Sequence, residues 1–309
     1  MTLRKIISTY SDSYKGVSDT PELDARLIVC HILDLEPSQL FLRLDEDLPD
    51  EKLAKIKTAL QRRQSGEPVA YITGERGFYE SVFKVSEATL IPRADTETLV
   101  EDAVMELKEL SSEKDELKIL DLCCGTGCIG ISVAKALASS FKRITLTLSD
   151  LSERALKVCR ANADSLITEK NIDVSIIRSD MFNDIRETAY NAILSNPPYI
   201  RSSVIPGLEK QVRFEPHMAL DGGEDGLDFV RILADNASRH LAVGGLLEIE
   251  IGYDQADEAS LLLAQSGYQG ISVLKDLGGN DRVVKAFSLP GPSSWLCGGH
   301  GAHPERPEL

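Results

Sequence analysis

An asparagine, two prolines and a tyrosine, Asn196-Pro197-Pro198-Tyr199, close the apolar run Ala192-Ile193-Leu194. Proline lacks a backbone donor and fixes φ, so a strand must stop there. The carboxyl end of a strand in an α/β sheet is where ligands bind. The Asn196 side-chain oxygen and the Pro197 carbonyl can each accept an N–H from a planar amide or aromatic amine. The lone pair of such a nitrogen is delocalised, which makes it a poor nucleophile. Two fixed acceptors orient it and favour its rehybridisation. Tyr199 can pack on the planar group. A separate general base is unnecessary, since a proton can leave once the nitrogen has become cationic. The chain accordingly shows no recognisable His or Cys nucleophile arrangement.

A reactant must be delivered to that corner, and a second stretch upstream can do so. Asp121-Leu-Cys-Cys-Gly-Thr-Gly127 lies between an apolar run and a helical pattern. Its glycines let the backbone approach a ligand, with helix N–H groups directed at it. Gly125, Gly127 and Gly130 also satisfy the dinucleotide fingerprint, with Asp150 at a suitable distance beyond, so the loop alone leaves NAD open. Asp150, at the end of the next strand, is placed to accept both hydroxyls of a ribose. Asp180 ends a third strand beside Met181 and Phe182, where a carboxylate can take an exocyclic amine while its neighbours wall an adenine. Asp121 is read mainly as a brace for the loop, and Cys123, Cys124 and Cys128 as small residues tolerated near the ligand. There is no Walker lysine and no arginine on the loop, which disfavours ATP more than NAD. The company of Asp121, Asp180 and the Asn-Pro-Pro-Tyr corner selects S-adenosylmethionine, and the reaction becomes an in-line displacement on its sulfonium methyl.

The elements that position these residues follow from pattern. Residues 1–66 read as helices: one from Thr20-Pro21, with the stripe Leu23, Leu27, Ile28 and Ile32 and with His31 packed in the core; a second from Pro37-Ser38; a third from Pro49 to Gln64. Pro68–Gly74 and Phe78–Val85 read as the two arms of a hairpin. Ile91–Glu97 opens a helix, capped by Asp95 or Thr96, that runs to about Leu110. From Leu117 onward strand and helix alternate, which argues a parallel sheet. Strands are expected at 118–122, 144–149, 173–178 and before Asn196, with Ser152 capping the helix after the second. Residues 200–225 form a long loop. Leu227, Val230, Leu233 and Leu241 mark a helix, Gly244-Gly245 turns into the strand Leu246–Ile251, and 255–266 is the last helix. The segments 271–275 and 282–287 close the sheet as an antiparallel pair.

The 309 residues carry 27% charged side chains and a formal net charge of −15. That balance counts against a nucleic-acid substrate, because phosphate contacts call for a basic footprint. No apolar run approaches a membrane span, and three of the six cysteines crowd one turn, unlike a disulfide framework. A cytoplasmic, monomeric protein is expected. The Gly-, Pro- and His-rich stretch 289–309 is expected to be a disordered extension, and its Cys297, His300 and His303 fall short of a metal site; none is expected elsewhere.

The glycine loop, Asp150, Asp180 and Asn196–Tyr199 together resemble a class I S-adenosylmethionine-dependent methyltransferase. Gly66-Glu-Pro-Val-Ala-Tyr-Ile-Thr-Gly74, Ile91-Pro-Arg-Ala-Asp-Thr-Glu97 and Val212-Arg-Phe-Glu-Pro216 narrow the likeness to the peptide chain release factor glutamine methyltransferases, the HemK or PrmC family. The resemblance spans about residues 5–288. It implies an α/β seven-stranded sheet whose last strand is antiparallel. It also implies a helical domain (1–66) that recognises the release factor, a hairpin linker (67–93) and a catalytic domain (94–288). The acceptor it implies is the glutamine of a Gly-Gly-Gln loop. By position, Cys123, Cys124, Gly125, Thr126 and Gly127 would contact the methionine part of the cofactor, and Asp150 its ribose. Asp180 and Met181 would lie at its adenine, with Asn196 also in contact. Asn196, Pro197, Pro198 and Tyr199 would hold the glutamine amide, with Arg93 beside it. Cys123 occupies a usual glycine position and Met181 a position where an aromatic is common. A sister enzyme acting on a ribosomal-protein glutamine, a nucleic-acid amine methyltransferase and a non-enzymatic adenosyl-binding protein are the alternatives. The last leaves Asn196 and Tyr199 without a purpose.

Overall fold

The computed structural model describes residues 1–289. The tail beyond Leu289, with Cys297, His300 and His303, lies outside the described residues. Helices α1 (Leu3–Ser13), α2 (Pro21–Leu33), α3 (Pro37–Leu42) and α4 (Asp50–Gln64) share a core of Leu3, Ile6, Tyr14, Ile28, Ile56 and Leu60. Helix α1, whose bounds the sequence pattern leaves open, begins at Thr2, whose hydroxyl accepts the Lys5 N–H. The face of α2 differs from the expected stripe. Ala25, Ile28, Val29 and Leu33 are buried, whereas Leu23 and Leu27 are 52% and 39% exposed. Apolar residues occupy more than one face of α2, so periodicity does not choose between them. The buried pair Asp24–Arg63, at 2.7 Å, helps decide by drawing that side toward α4. His31 is exposed, 3.7 Å from Glu75, rather than packed in the core. Thr20 does not cap α2; its hydroxyl donates to Asp24.

The hairpin also shifts. Residues 69–73 form a one-turn helix, α5 (Val69–Thr73), with Pro68 before it and Gly74 ending it at φ +76°. The arms are β1 (Glu75–Phe78) and β2 (Ser81–Lys84), paired antiparallel with Phe78 opposite Ser81. The β-branched and aromatic content of 68–74 serves packing rather than a strand.

A short 3₁₀ turn over 94–96 leads into α6 (Glu97–Glu109). The sheet follows in alternation: β3 (Glu116–Leu122), α7 (Cys128–Leu137), β4 (Arg143–Asp150), α8 (Glu153–Leu166), β5 (Ile172–Arg178), β6 (Tyr190–Ser195), α9 (Asp228–Asn236), β7 (Leu241–Glu250), α10 (Ala256–Gln265), β8 (Gln269–Lys275) and β9 (Asp281–Phe287). Leu241 therefore starts β7 instead of ending a helix, and Gly244-Gly245 lies inside that strand. The order is β5-β4-β3-β6-β7-β9-β8, parallel except that β9 runs antiparallel to both β7 and β8. The seven-stranded sheet with a reversed last strand is as expected. Helices α6, α7 and α8 pack on one face, over Ile119, Leu146 and Leu194. Helices α9 and α10 pack on the other, over Leu120, Ile193 and Leu247. Chain order reverses between β3 and β6, which opens a crevice at their carboxyl ends. Among the described residues no helix is long and apolar enough to cross a membrane.

Candidate active site

The crevice is built first by the loop after β3. Cys123, Gly125 and Gly127 take φ of +59°, +53° and +79°. The left-handed conformation at Cys123 explains why glycine is the usual residue there, because a side chain costs about 1 kcal/mol in that region. Met181, the other departure from the family pattern, is also left-handed, at φ +48°. Its sulfur lies 3.7 Å from Cys123 Sγ, so the two positions touch.

Asp121 is fully buried beneath the loop, and its Oδ2 accepts the Gly130 N–H at 2.9 Å. A Cβ on Gly130 would sit 2.8 Å from Leu148 Cδ2, so only glycine allows α7 to approach this closely. Burial, then the Asp150 charge, push the Asp121 carboxyl up to about 7, against the lowering effect of the Gly130 N–H. A raised carboxyl keeps its proton in the folded chain after the unfolded chain has lost it. Its contribution is therefore full below about pH 4 and is lost as pH rises toward 7. Asp121→Asn is expected to flatten stability over that window, by up to about 1.4 kcal/mol per pH unit. Urea unfolding at several pH values reads this directly, and parallel curves for parent and variant would contradict it.

Asn162, inside α8, is a residue that pattern reading missed. It is wholly buried; its Nδ2 donates to the Thr126 and Lys84 carbonyls at 2.9 and 3.0 Å, and its Oδ1 accepts the Lys84 N–H at 2.8 Å. One side chain thus ties the loop to the hairpin. The available signal was a polar residue on the inward face of an otherwise regular helix.

Asp150 lines the cleft at the end of β4. Its oxygens accept the Gly125 and Ser152 N–H groups at 2.9 and 2.8 Å, and burial raises its carboxyl. Each oxygen keeps a second lone pair for a ligand hydroxyl. Ser152 caps α8 through the Ala155 N–H. Asp180 is exposed and lines the cleft with Met181, whereas Phe182 turns away and stacks on His240 at 4.9 Å. The sulfurs of Cys124 and Cys159 lie 3.8 Å apart. Burial lifts the thiols of Cys123 and Cys128, the latter to about 12, which leaves them poor nucleophiles.

Across the cleft, β6 delivers Asn196 to the wall, with Pro198 beside it. Pro197 is buried, and Tyr199 donates its hydroxyl to Glu250 at 3.3 Å; neither side chain lines the cleft. Arg93 lines the cleft and pairs with Glu215, whose other oxygen accepts the Ile91 N–H at 2.9 Å. The stretches 91–97 and 212–216 are thereby joined across 122 positions. That junction carries Pro216, Met218 and Ala219 over the cleft as its outer wall. Among the described residues no histidine lines the cleft and no cluster has metal-ligating geometry.

Residues 7–74 match the PrmC N-terminal domain family and residues 102–207 the methyltransferase small domain family. A release factor glutamine methyltransferase of Thermodesulfovibrio yellowstonii is 37% identical over 283 residues, 91% of this chain and 95% of its own. One of Vibrio cholerae is 39% identical over 268 residues, covering 86% and 90%. Among solved structures, the hMettl16 catalytic domain in complex with a 3′UTR hairpin is similar at a TM-score of 0.52 and 14% identity, over 79% of this chain and 83% of that one. That likeness is one of fold.

Proposed function

The chain belongs to the release factor glutamine methyltransferase family, and from that premise we propose how its cleft performs the reaction. The reaction is methylation of the side-chain amide nitrogen of the glutamine in the Gly-Gly-Gln loop of peptide chain release factors, with S-adenosylmethionine as donor. The observation that carries the reading is that one cleft, at the reversal point of the sheet, is lined by the glycine loop, Asp150 and Asn196 together.

The residues fit the donor. Cys123–Thr126 of the loop line the cleft and offer backbone and no cation for phosphate, whereas Gly127 does not line it; Asp150 retains lone pairs for a ribose diol; Asp180 and Met181 pair a carboxylate with an apolar wall. We assign the methionine part to the loop, the ribose to Asp150 and the adenine to Asp180 and Met181, with Asn196 also in contact. Bound there, S-adenosylmethionine supplies an electrophilic sulfonium methyl.

The protein's own part is to hold the acceptor. Asn196 Oδ1 and the Pro197 carbonyl accept the two N–H groups of the glutamine amide, and Pro198 bounds its plane, while Tyr199, turned to Glu250, braces the corner from outside the cleft lining. Positive charge grows on that nitrogen during transfer, and both acceptors then bind it more strongly than they bound the neutral amide. The proton leaves to water afterwards, in keeping with a cleft that has no histidine and only high-pKa thiols. Arg93, fixed by Glu215, is assigned to the acceptor side.

We divide the chain into a helical recognition domain (1–66), a linker (67–93) and a catalytic domain (94–288); the helices have a core separate from that of the sheet, although Ile72 of α5, inside the linker, also enters it. We further infer that it acts in the cytoplasm, as the free cysteines among the described residues fit a reducing compartment, and that it acts as a monomer. Incubation with labelled S-adenosylmethionine and full-length release factor, ribosomal protein or nucleic acid tests the reading. Label is expected on the release factor glutamine; label on nucleic acid alone would overturn it.

A further inference from the structure

The Asn-Pro-Pro-Tyr corner is held from behind by Gln255, a residue that does not line the cleft. Pro197 and Pro198 bring no N–H, so neither ties the corner's backbone down with a donor of its own. β6 fixes the chain up to Ser195, and beyond the prolines the hold passes to Tyr199 and Ile200. Gln255 Nε2 donates to the Tyr199 carbonyl at 3.0 Å and to the Gly226 carbonyl at 3.1 Å. Its Oε1 accepts the Gly252 N–H at 2.8 Å. The residue is 3% exposed and stands just before α10, yet its side chain caps none of that helix's N–H groups. Beside it, the Ile200 N–H donates to the Leu220 carbonyl at 2.9 Å and the Ile200 carbonyl accepts the Gly222 N–H at 2.8 Å. The two ends of the excursion 200–226 thus meet at a neck, and Gln255 lies across it. A Cβ on Gly226 would sit 2.4 Å from the Tyr199 oxygen and 2.5 Å from Gln255 Nε2, so the neck closes this tightly only with glycine there.

The three partners of the Gln255 amide are backbone groups, two carbonyls and one N–H, and each has a fixed role. One orientation of the amide pairs all three, with the NH2 on the carbonyls and Oε1 on the N–H. We propose that Gln255 is a positioning residue for methyl transfer. By holding the Tyr199 carbonyl at the neck, it sets the course of the corner, and with it the direction in which the Pro197 carbonyl and Asn196 meet the acceptor nitrogen. The inference rests on the reading of that corner as the amide holder. Pro198 transmits the hold, because its locked φ removes one of the few rotations between the Tyr199 and Pro197 carbonyls. A misplacement of about 1 Å caused by a change remote from the chemistry costs about 10²-fold in rate.

Gln255→Glu keeps the shape of the side chain. Ionised, it sets acceptors against two carbonyls; protonated, it has one donor for the two. Methylation of full-length release factor with labelled cofactor is expected to show kcat, counted per cofactor-binding site, lowered about 10- to 100-fold. The Kd for cofactor, measured by equilibrium dialysis, stays within about twofold, because the glycine loop and Asp150 lie across the cleft. The KM for release factor stays within about threefold, because the glutamine is one side chain of a large partner. Gln255→Met, uncharged and of similar length, gives the same pattern and serves where the glutamate variant does not fold. Leu263→Ala is the control for a merely structural role. Leu263 is fully buried toward the other end of α10, so its truncation lowers the urea midpoint while kcat stays within about twofold. A Gln255→Met enzyme with unchanged kcat overturns the proposal. So does a loss of cofactor affinity that matches the fall in kcat, or a Leu263→Ala enzyme as slow as the Gln255 variants, since either marks general loosening. Should Asn196→Ala itself keep turnover, the amide-holding reading fails and this inference with it. Should Asn196→Ala lose turnover while Gln255→Met does not, only the role of Gln255 is wrong.

Discussion

Asn196→Ala is expected to lower kcat by roughly 10²- to 10³-fold, the range found when one oriented dipole is taken from a charge-developing site. The protein would lose an acceptor that is held on a buried strand end and aimed across the cleft from Asp150. The Pro197 carbonyl would remain, so one N–H of the acceptor would still be bound. The nitrogen could then rotate about that single bond, and the geometry that favours rehybridisation would be lost. Cofactor affinity should change by no more than about threefold, because the loop and Asp150 are untouched. Single-turnover rates with saturating labelled cofactor, beside dialysis of the same cofactor, separate the two effects. Turnover within a few-fold of the parent would refute the amide-holding role. The folded state should tolerate the change, since Asn196 is only half-buried and its side chain is held by the 3.4 Å contact to Thr96.

Residues legible in the sequence are those whose chemistry is local. The glycine loop, Asp150 and the Asn-Pro-Pro-Tyr corner each sit at a strand end, and a strand end can be read from a few consecutive residues. The alternation from Leu117 marks the parallel sheet for the same reason. What stayed hidden depends on distant partners. Asn162 reaches Thr126 and Lys84, which lie 36 and 78 positions away. Glu215 reaches Arg93 across 122 positions. Thr96 looked like a helix cap and instead meets Asn196, 100 positions on. The face of α2 was misjudged because Leu23 and Leu27 are as apolar as Ile28 and Val29, and the Asp24–Arg63 pair that helps choose between them spans 39 positions. Cys123 and Met181 are a different case. Their left-handed backbone is invisible in composition, and the contact between their sulfurs, 58 positions apart, is equally so.

Asp150→Ala is expected to weaken cofactor binding by about 10²-fold or more, with any fall in kcat secondary at saturating cofactor. A charged acceptor meeting two hydroxyls stands to lose about 1.5–3 kcal/mol per hydrogen bond. Asp150 has a second duty that complicates a simple deletion, because its oxygens also hold the Gly125 and Ser152 N–H groups. Alanine would leave those two donors to water and loosen the loop that carries the methionine part. The ribose contact and the loop contact can be told apart by the ligand rather than the protein. A cofactor analogue lacking the 2′-hydroxyl should bind the parent about tenfold less tightly than the full cofactor. It should bind Asp150→Ala no less tightly than the full cofactor does, because the group that distinguishes the two ligands has lost its partner. If the analogue and the cofactor differ equally in parent and variant, Asp150 acts only on the loop and the ribose assignment is wrong. Asp150→Asn, which keeps one acceptor and adds a donor, should fall between. Its oxygen can still take the Gly125 N–H, but its NH2 would face the Ser152 N–H, donor against donor. The loss in the asparagine variant therefore measures the brace and the loss of 2′-hydroxyl discrimination measures the ribose contact, and the two need not move together.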